Sequence, residues 1–303
     1  MARAGTPLAE ALAVRPVLLD GGLSNQLTDQ GCDLSGGLWS ARVLAEAPAQ
    51  VAAAHAAYVR AGAEVLITAS YQVSYEEFGR RGRGRDQVSA LLRRSVELAD
   101  RATGAAGPER DVWVAASVGP YGAVLADGSE YRGQYGLGAR ELAAFHAPRI
   151  EALRSAGPDV LALETIPDAD EAAVLLELLA GTGAAAWLSY TVEGGRTRAG
   201  QPLDRAFALA AEVPEVIAVG VNCCDPAEVA DAVRTAADAT GKPVVAYPND
   251  GSVWDAATGV WHAPAAPAPW PVSAWRRAGA RLIGGCCRVT PDDIAALAPR
   301  LRP

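Results

Sequence analysis

The 303-residue chain is poor in several residues that usually announce a chemistry. It has three histidines, three phenylalanines, one methionine and five cysteines. No H-E-x-x-H or other histidine-ligand spacing occurs, which excludes the common histidine-based metal sites. There is no P-loop, no G-x-S-x-G elbow, and no G-x-G-x-x-G after the first strand-like run, so phosphate-cradle, serine-hydrolase and dinucleotide signatures are absent. No run is long enough to span a bilayer, and MARAGTPLAEALAVRP contains no apolar stretch of signal-peptide length. The expectation is a cytoplasmic protein with reduced thiols and no membrane partner. Five cysteines in so long a chain are not a disulfide scaffold. Positive charge is also short, with 27 basic against 35 acidic residues and a net charge of −8. With no basic run and no regular aromatic stripe, nucleic acid is not an expected partner.

What remains is a large apolar core. Half the residues are hydrophobic, and mean hydropathy is +0.09. Short apolar runs alternate with Ala- and Leu-rich helical stretches. The runs are VLLDGG (17–22), EVLITAS (64–70), DVWVAASVGP (111–120), DVLALETIP (159–167), AAWLSYTV (185–192), VIAVGVNCC (216–224), KPVVAYPNDG (242–251) and RLIGGCC (281–287). They do not alternate polar with apolar, as expected of parallel strands buried on both faces. Gly62, Gly157, Gly183, Gly241 and Gly279 close helices before the next strand, and Asp225-Pro226 and Thr290-Pro291 open others. Eight such units predict an α/β fold, a (β/α)8 TIM barrel occupying residues 1–303 as a single domain, with its core at about 17–301. The longest loops are 121–137 and 250–270, the second reading as a lid or rim.

Active sites in this architecture sit at the C-terminal ends of the strands. Asp20, Thr68, Ser70, Ser117, Glu164, Thr165, Tyr190, Asn222, Cys223, Tyr247, Asn249, Cys286 and Cys287 all fall there. Four of the five cysteines form two adjacent pairs, Cys223-Cys224 and Cys286-Cys287. Neighbours on a strand point to opposite faces, so one of the first pair faces the site; Cys223 is the choice, with Cys224 packed as a small apolar residue. A turn after Gly284-Gly285 presents both sulfurs of the second pair. Three thiolates with an open fourth position suit catalytic zinc; four buried core thiols is the competing reading. Cys32 reads as an ordinary thiol. Asp20 and Glu164 either cap helices or bind a substrate ammonium group. His55 and His146, within helical stretches, read as surface or satisfied side chains.

At these residues the chain resembles the homocysteine S-methyltransferase family. The resemblance is carried by DGG (20–22), LWSARVL (38–44), ITASYQVS (67–74), SVGPYGAVLADGSEYRGQY (117–135), ETIP (164–167), GVNCC (220–224), YPNDGSVWD (247–255) and GGCCRVTPDDI (284–294). It implies a (β/α)8 barrel with one Zn2+ held by Cys223, Cys286 and Cys287. It further implies homocysteine bound through Asp20, the backbone near Gly21, Thr68 and Glu164, with Asn222 on the same rim. The chain looks most like the branch that uses S-methylmethionine. It departs from the family pattern at Ser24-Asn25-Gln26 and Gly36-Gly37, leaving the contacts of the first loop open.

The implied reaction moves a methyl group from a sulfonium donor to a thiol, giving methionine. Trp39, Tyr71, Tyr121 and Tyr247 are the aromatic faces available to the sulfonium charge, or alternatively pack the rim. S-adenosylmethionine or betaine as donor, another thiol or selenol as acceptor, and a non-catalytic thiol-metabolite barrel are the other readings. The expected partners are small molecules, and a monomer and a small homo-oligomer are both open.

Overall fold

The computed structural model describes residues 5–35, 38–107, 110–255, 260–262 and 270–301. Gly36 and Gly37, and residues 256–259 and 263–269 of loop 250–270, lie outside the described residues. Eight parallel strands form the sheet: β1 (Val17–Leu18), β2 (Val65–Ile67), β3 (Trp113–Val118), β4 (Val160–Ile166), β5 (Ala186–Tyr190), β6 (Val216–Asn222), β7 (Val244–Tyr247) and β8 (Ala280–Ile283). Their spatial order is β1-β8-β7-β6-β5-β4-β3-β2. A parallel bridge between Leu19 and Val65 brings β1 back to β2 and closes the ring. The helix after each strand packs outside it: α1 (Pro48–Ala61), α2 (Arg85–Thr103), α3 (Ala139–Ser155), α4 (Ala169–Leu179), α5 (Leu203–Ala208), α6 (Val229–Thr240), α7 (Val272–Ala278) and α8 (Pro291–Leu301). The predicted (β/α)8 barrel is the observed fold.

Period-two alternation divides the core into two layers. Val17, Leu19, Val65, Trp113, Ala115, Val160, Ala162, Trp187, Ala218, Val245, Tyr247 and Leu282 fill the barrel interior. Leu18, Leu66, Val114, Leu161, Leu163, Leu188, Val219, Val221, Val244 and Ile283 face the helices. Both faces are buried, which is why the strands show no polar alternation. A short helix, Leu8–Val14, sends Leu8, Ala11 and Leu12 into the interior layer. The Trp113 indole, at the start of β3, donates to the Thr6 carbonyl at 2.8 Å, so this helix plugs the end of the barrel opposite the site.

The helix punctuation read from sequence has its expected geometry. Gly62 (φ 112°) and Gly241 (φ 66°) are left-handed C-caps. The Asp225 carboxylate accepts from Ala227 N at 2.8 Å, and Thr290 and Asp293 bond reciprocally at the start of α8. Two details differ. The helix after β5 is short, Leu203–Ala208, and is preceded by a hairpin pairing Val192–Glu193 with Arg196–Thr197. Loop 121–137 contains a helical turn at Tyr121–Leu125 and a 3-10 turn at Ser129–Tyr131. In loop 250–270, Val253–Asp255 pairs antiparallel with Val260–His262.

Candidate active site

The interior parity places the polar residues. Continuing the inward series upward from Trp113 and Ala115 gives Ser117. Val160 and Ala162 lead to Glu164, Trp187 to Ser189, Ala218 to Asn222, and Val245 to Tyr247. These five form one hydrogen-bonded chain across the mouth. Ser117 Oγ donates to Glu164 Oε1, and the Tyr247 hydroxyl donates to Glu164 Oε2 at 3.0 Å. Ser189 bonds the Tyr247 hydroxyl at 2.8 Å and donates to Asn222 Oδ1 at 2.9 Å, while the Trp187 indole donates to the same phenol at 3.1 Å. Asn222 holds Thr165 from both sides: Oδ1 accepts from Thr165 N and Nδ2 donates to Thr165 Oγ1, each at 2.7 Å. Thr165 needs that grip because its φ is +57°, a conformation costing a non-glycine residue roughly 1 kcal/mol or more. Tyr190, one residue off parity, points outward, donating to the Ala206 carbonyl at 2.9 Å and packing on Phe207. Ser189 is the β5 residue at the mouth, and the parity of Trp187 is the signal that identifies it.

Burial sets the charge states. Glu164 is 6% exposed, and burial pushes its carboxyl up to about 7 despite the bonds from Ser117 and Tyr247. Asp20 is 1% exposed; burial raises it well above the usual carboxylate range, and the nearby Glu164 charge adds to that. Asp20 Oδ2 accepts from Ile67 N at 2.8 Å, while Oδ1 has no partner and no solvent. Two buried acids near one another, one with a bare oxygen, make a receptor for a cationic group. Thr68 lies beside them, its hydroxyl accepting from Ser117 N at 3.0 Å and bonded to Ser70 at 2.8 Å. Gly21 is sterically obligatory, since a Cβ there would sit 2.5 Å from the Val289 carbonyl and 2.9 Å from the Tyr58 ring.

The three cysteines converge. Cys223, Cys286 and Cys287 place their sulfurs within 4.8 Å of one another. Cys223 turns out of β6 with φ +48°, which redirects it to the mouth and returns Cys224 to the outer core, 1% exposed. Cys286 N donates to the Pro248 carbonyl and Cys287 N to Asn249 Oδ1, so the end of β7 holds the turn after β8. A Cβ on Gly284 would lie 2.4 Å from that of Leu19, so only glycine lets the strand leave the barrel here. The expectation of reduced thiols is corrected at one pair, because Cys223 and Cys286 are joined as a disulfide with a Cα separation of 5.4 Å. Two strand ends deliver both sulfurs to one point, where they bond each other or share a third partner. Cys287 stays free, 3.7 Å from Cys223 Sγ, and burial pushes its thiol up to about 12. That separation fits one edge of a tetrahedral zinc–thiolate centre, about 3.8 Å for zinc–sulfur bonds of about 2.3 Å. In the reduced state the donor set is three soft sulfurs at an open mouth, the composition of a catalytic zinc site.

The aromatic candidates separate. Trp39 (φ +32°) begins a helix, Trp39–Glu46, and is half-buried. Tyr71 is half-buried and hydrogen-bonded to Thr165. The Tyr247 ring is buried edge-on to Trp187 and reaches the mouth through its hydroxyl. Tyr121 packs against Tyr135 and Phe145 at centroid distances of 5.4 and 5.0 Å, toward α3.

Residues not singled out in the sequence complete the rim. Tyr131 donates its hydroxyl to the Cys287 sulfur. Glu130 is 3% exposed, and burial pushes its carboxyl up to about 7. Both lie in the SEYRGQY motif, which was their only signal. His146 is buried against Glu171, Nε2 to Oε1 at 2.9 Å, beside the fully buried Arg149. Arg149 donates to the carbonyls of Tyr71, Val73 and Gly119. The expectation for His55 is corrected: it is fully buried in α1, both ring nitrogens lack partners, and burial lowers it to about 4. After β1, Asn25 sits in a short helix, Leu23–Asp29, and its Oδ1 accepts from Arg288 N at 2.6 Å, tying that helix to the Cys286-Cys287 turn.

A closed (β/α)8 barrel with three sulfurs and two buried acids at its C-terminal mouth defines a barrel enzyme built for thiol chemistry. The family profile described as homocysteine S-methyltransferase matches residues 17–301. The chain belongs to the homocysteine S-methyltransferase family and is a methyltransferase. It is 45% identical over 293 residues to "Homocysteine S-methyltransferase" of Escherichia coli K12, covering 94% of each chain. It is 37% identical to "Homocysteine S-methyltransferase YbgG" of Bacillus subtilis, covering 96% of each. Solved structures of the E. coli homocysteine methyltransferase MmuM match at 43% identity with a TM-score of 0.87, in both the metallated and the oxidized form. They cover 97% and 98% of this chain, respectively, and all of each MmuM chain. No helix among the described residues is long and apolar enough to cross a membrane.

Proposed function

We propose that the chain, as one barrel domain over residues 1–303, transfers a methyl group from S-methylmethionine to L-homocysteine, giving methionine. The observation that carries this reading is the meeting of Cys223, Cys286 and Cys287 within 4.8 Å beside the buried carboxyls Asp20 and Glu164. In the reduced protein these three cysteines hold zinc, which when bound supplies the Lewis acidity that keeps a substrate thiol deprotonated near neutral pH.

The remaining work falls to the chain's own residues. Asp20 Oδ1 and Glu164 accept the homocysteine ammonium, which in turn stabilises both carboxylates in their charged state. Gly21 and Thr68 shape the wall around it. Tyr247, Ser117 and Asn222 fix the rim, so the acceptor sulfur arrives beside the cysteine cluster. Trp39 and Tyr71 offer ring faces to a sulfonium whose charge vanishes on transfer. The leaving group is a neutral thioether, so no general acid is needed, in keeping with the lack of a histidine at the strand ends. Orientation of acceptor sulfur, methyl and leaving sulfur supplies much of the rate.

The test is methionine formation, read by mass spectrometry, from reduced zinc-loaded protein with homocysteine and each of S-methylmethionine, S-adenosylmethionine and betaine. Zinc-dependent methionine from S-methylmethionine is expected. Product from another donor alone would overturn the donor, and no product from any would overturn the reaction.

A further inference from the structure

An acid and a base, Glu130 and Arg198, both approach Tyr131 without pairing with each other. The Glu130 backbone N–H supports the carboxylate, but Oε2 is closed off from solvent and has no hydrogen-bond partner. Arg198 lies with Cζ 5.8 Å from the Tyr131 ring centroid and its Nη1 3.0 Å from Glu193 Oε2. Its Nε is likewise shut off from solvent and unpartnered. Among the described residues no ion pair joins Glu130 to Arg198. An unpaired buried polar atom costs about 1–3 kcal/mol, more when charged. Two of them around one phenol, one acceptor and one donor, are complementary to a molecule carrying an ammonium and a carboxylate.

Location makes this a subsite of the same mouth. The Tyr131 hydroxyl reaches Cys287, and the Glu130 charge is felt at Tyr71, Tyr131 and Cys287. Asp20 and Glu164 form a separate acidic pair, coupled to each other. The mouth therefore carries two receptors for amino-acid ends. The Glu130 segment owes its path to Gly122, where a Cβ would sit 2.6 Å from Glu130 N.

Resting on the methyl-transfer reading, we propose that Glu130 and Arg198 hold the α-ammonium and α-carboxylate of a sulfonium amino-acid donor. The subsite thus selects donors that are amino acids over cationic methyl donors that lack an amino group.

Reduced, zinc-loaded wild type, E130Q and R198M are titrated calorimetrically with S-methylmethionine and with dimethylsulfonioacetate, which keeps the carboxylate and sulfonium but has no ammonium. Turnover with homocysteine is measured in parallel. Each substitution is expected to weaken S-methylmethionine binding about tenfold or more, as for loss of a charge-assisted bond. The homocysteine KM should stay within about twofold, which also reports an intact fold and acceptor site. Dimethylsulfonioacetate should respond to R198M and not to E130Q. Unchanged S-methylmethionine binding in E130Q, with normal wild-type turnover, would overturn the subsite and leave the reaction standing. Weakened binding without methionine from the wild type would keep the subsite and remove the reaction. Equal losses of both donors in E130Q would overturn the ammonium assignment.

Discussion

Tyr247 on β7 donates its hydroxyl to Glu164 on β4, 3.0 Å away across the barrel interior. The same phenol takes a hydrogen bond from Trp187 and engages Ser189, so the carboxylate is aimed by a chain of groups from two further strands, β5 and β7. Removing that hydroxyl should loosen Glu164 without touching the cysteines. Tyr247→Phe is expected to raise the homocysteine KM about tenfold, the loss of one bond to a charged group. Zinc content should not change. Steady-state kinetics with metal analysis checks both.

Cys223 and Cys286 cannot hold a metal while bonded to each other. Protein kept oxidised is expected to take up little zinc, and reduced protein one equivalent. Cys286→Ala should lose both zinc and activity, whereas Cys224→Ala, a change in the outer core, should keep zinc. Metal analysis after thiol reduction decides this; full occupancy in Cys286→Ala would remove that ligand from the site.

Arg149 is buried on α3 and donates to three carbonyls in the loops after β2 and β3, while His146 and Glu171 bind each other beside it. Burial lowers its guanidinium to about 10, still charged at neutral pH. Arg149→Met should destabilise the fold by about 3–5 kcal/mol, leaving those carbonyls unpaired and removing a buried positive charge that interacts with Glu171. Thermal or urea unfolding measures it, and Arg149→Lys should recover part of the loss.

Glu164 titrates near 7 in the folded chain against an ordinary value of 4.5. Between those two values the folded state binds more protons than the unfolded state, so stability falls as pH rises through the window. At pH 8 the charged, buried carboxylate opposes folding by about 3 kcal/mol in the substrate-free protein. Glu164→Gln is therefore expected to be more stable than wild type at pH 8, by about 1–3 kcal/mol after allowing for a weakened bond. It should also bind homocysteine poorly. Urea unfolding at pH 5 and pH 8 tests the sign, and a Glu164→Gln protein less stable than wild type at pH 8 would refute it.

The amino-acid sequence determined the repeating units, their order and the chemistry of their ends. Short apolar runs closed by glycine-capped helices leave few packings other than a parallel barrel, and the two cysteine pairs stand where such strands stop. The motif set carried the family; the neighbour rule allowed only one of Cys223 and Cys224 to face the mouth, and the helix opening at Asp225-Pro226 pointed to Cys223. Tertiary structure decided which of the rim residues meet. Tyr190 is the residue expected at the mouth from the sequence, but parity relative to Trp187 sends it outward and brings its neighbour Ser189 to Tyr247. The approach of Arg198 to the Tyr131 ring, and the hold of Arg149 on its loops, join residues 30 to 78 positions apart. Local propensity sees neither. Contacts of that range depend on strand register and on where a left-handed residue such as Cys223 or Thr165 turns the chain. Those turns are held by long-range hydrogen bonds that exist only once the barrel has closed.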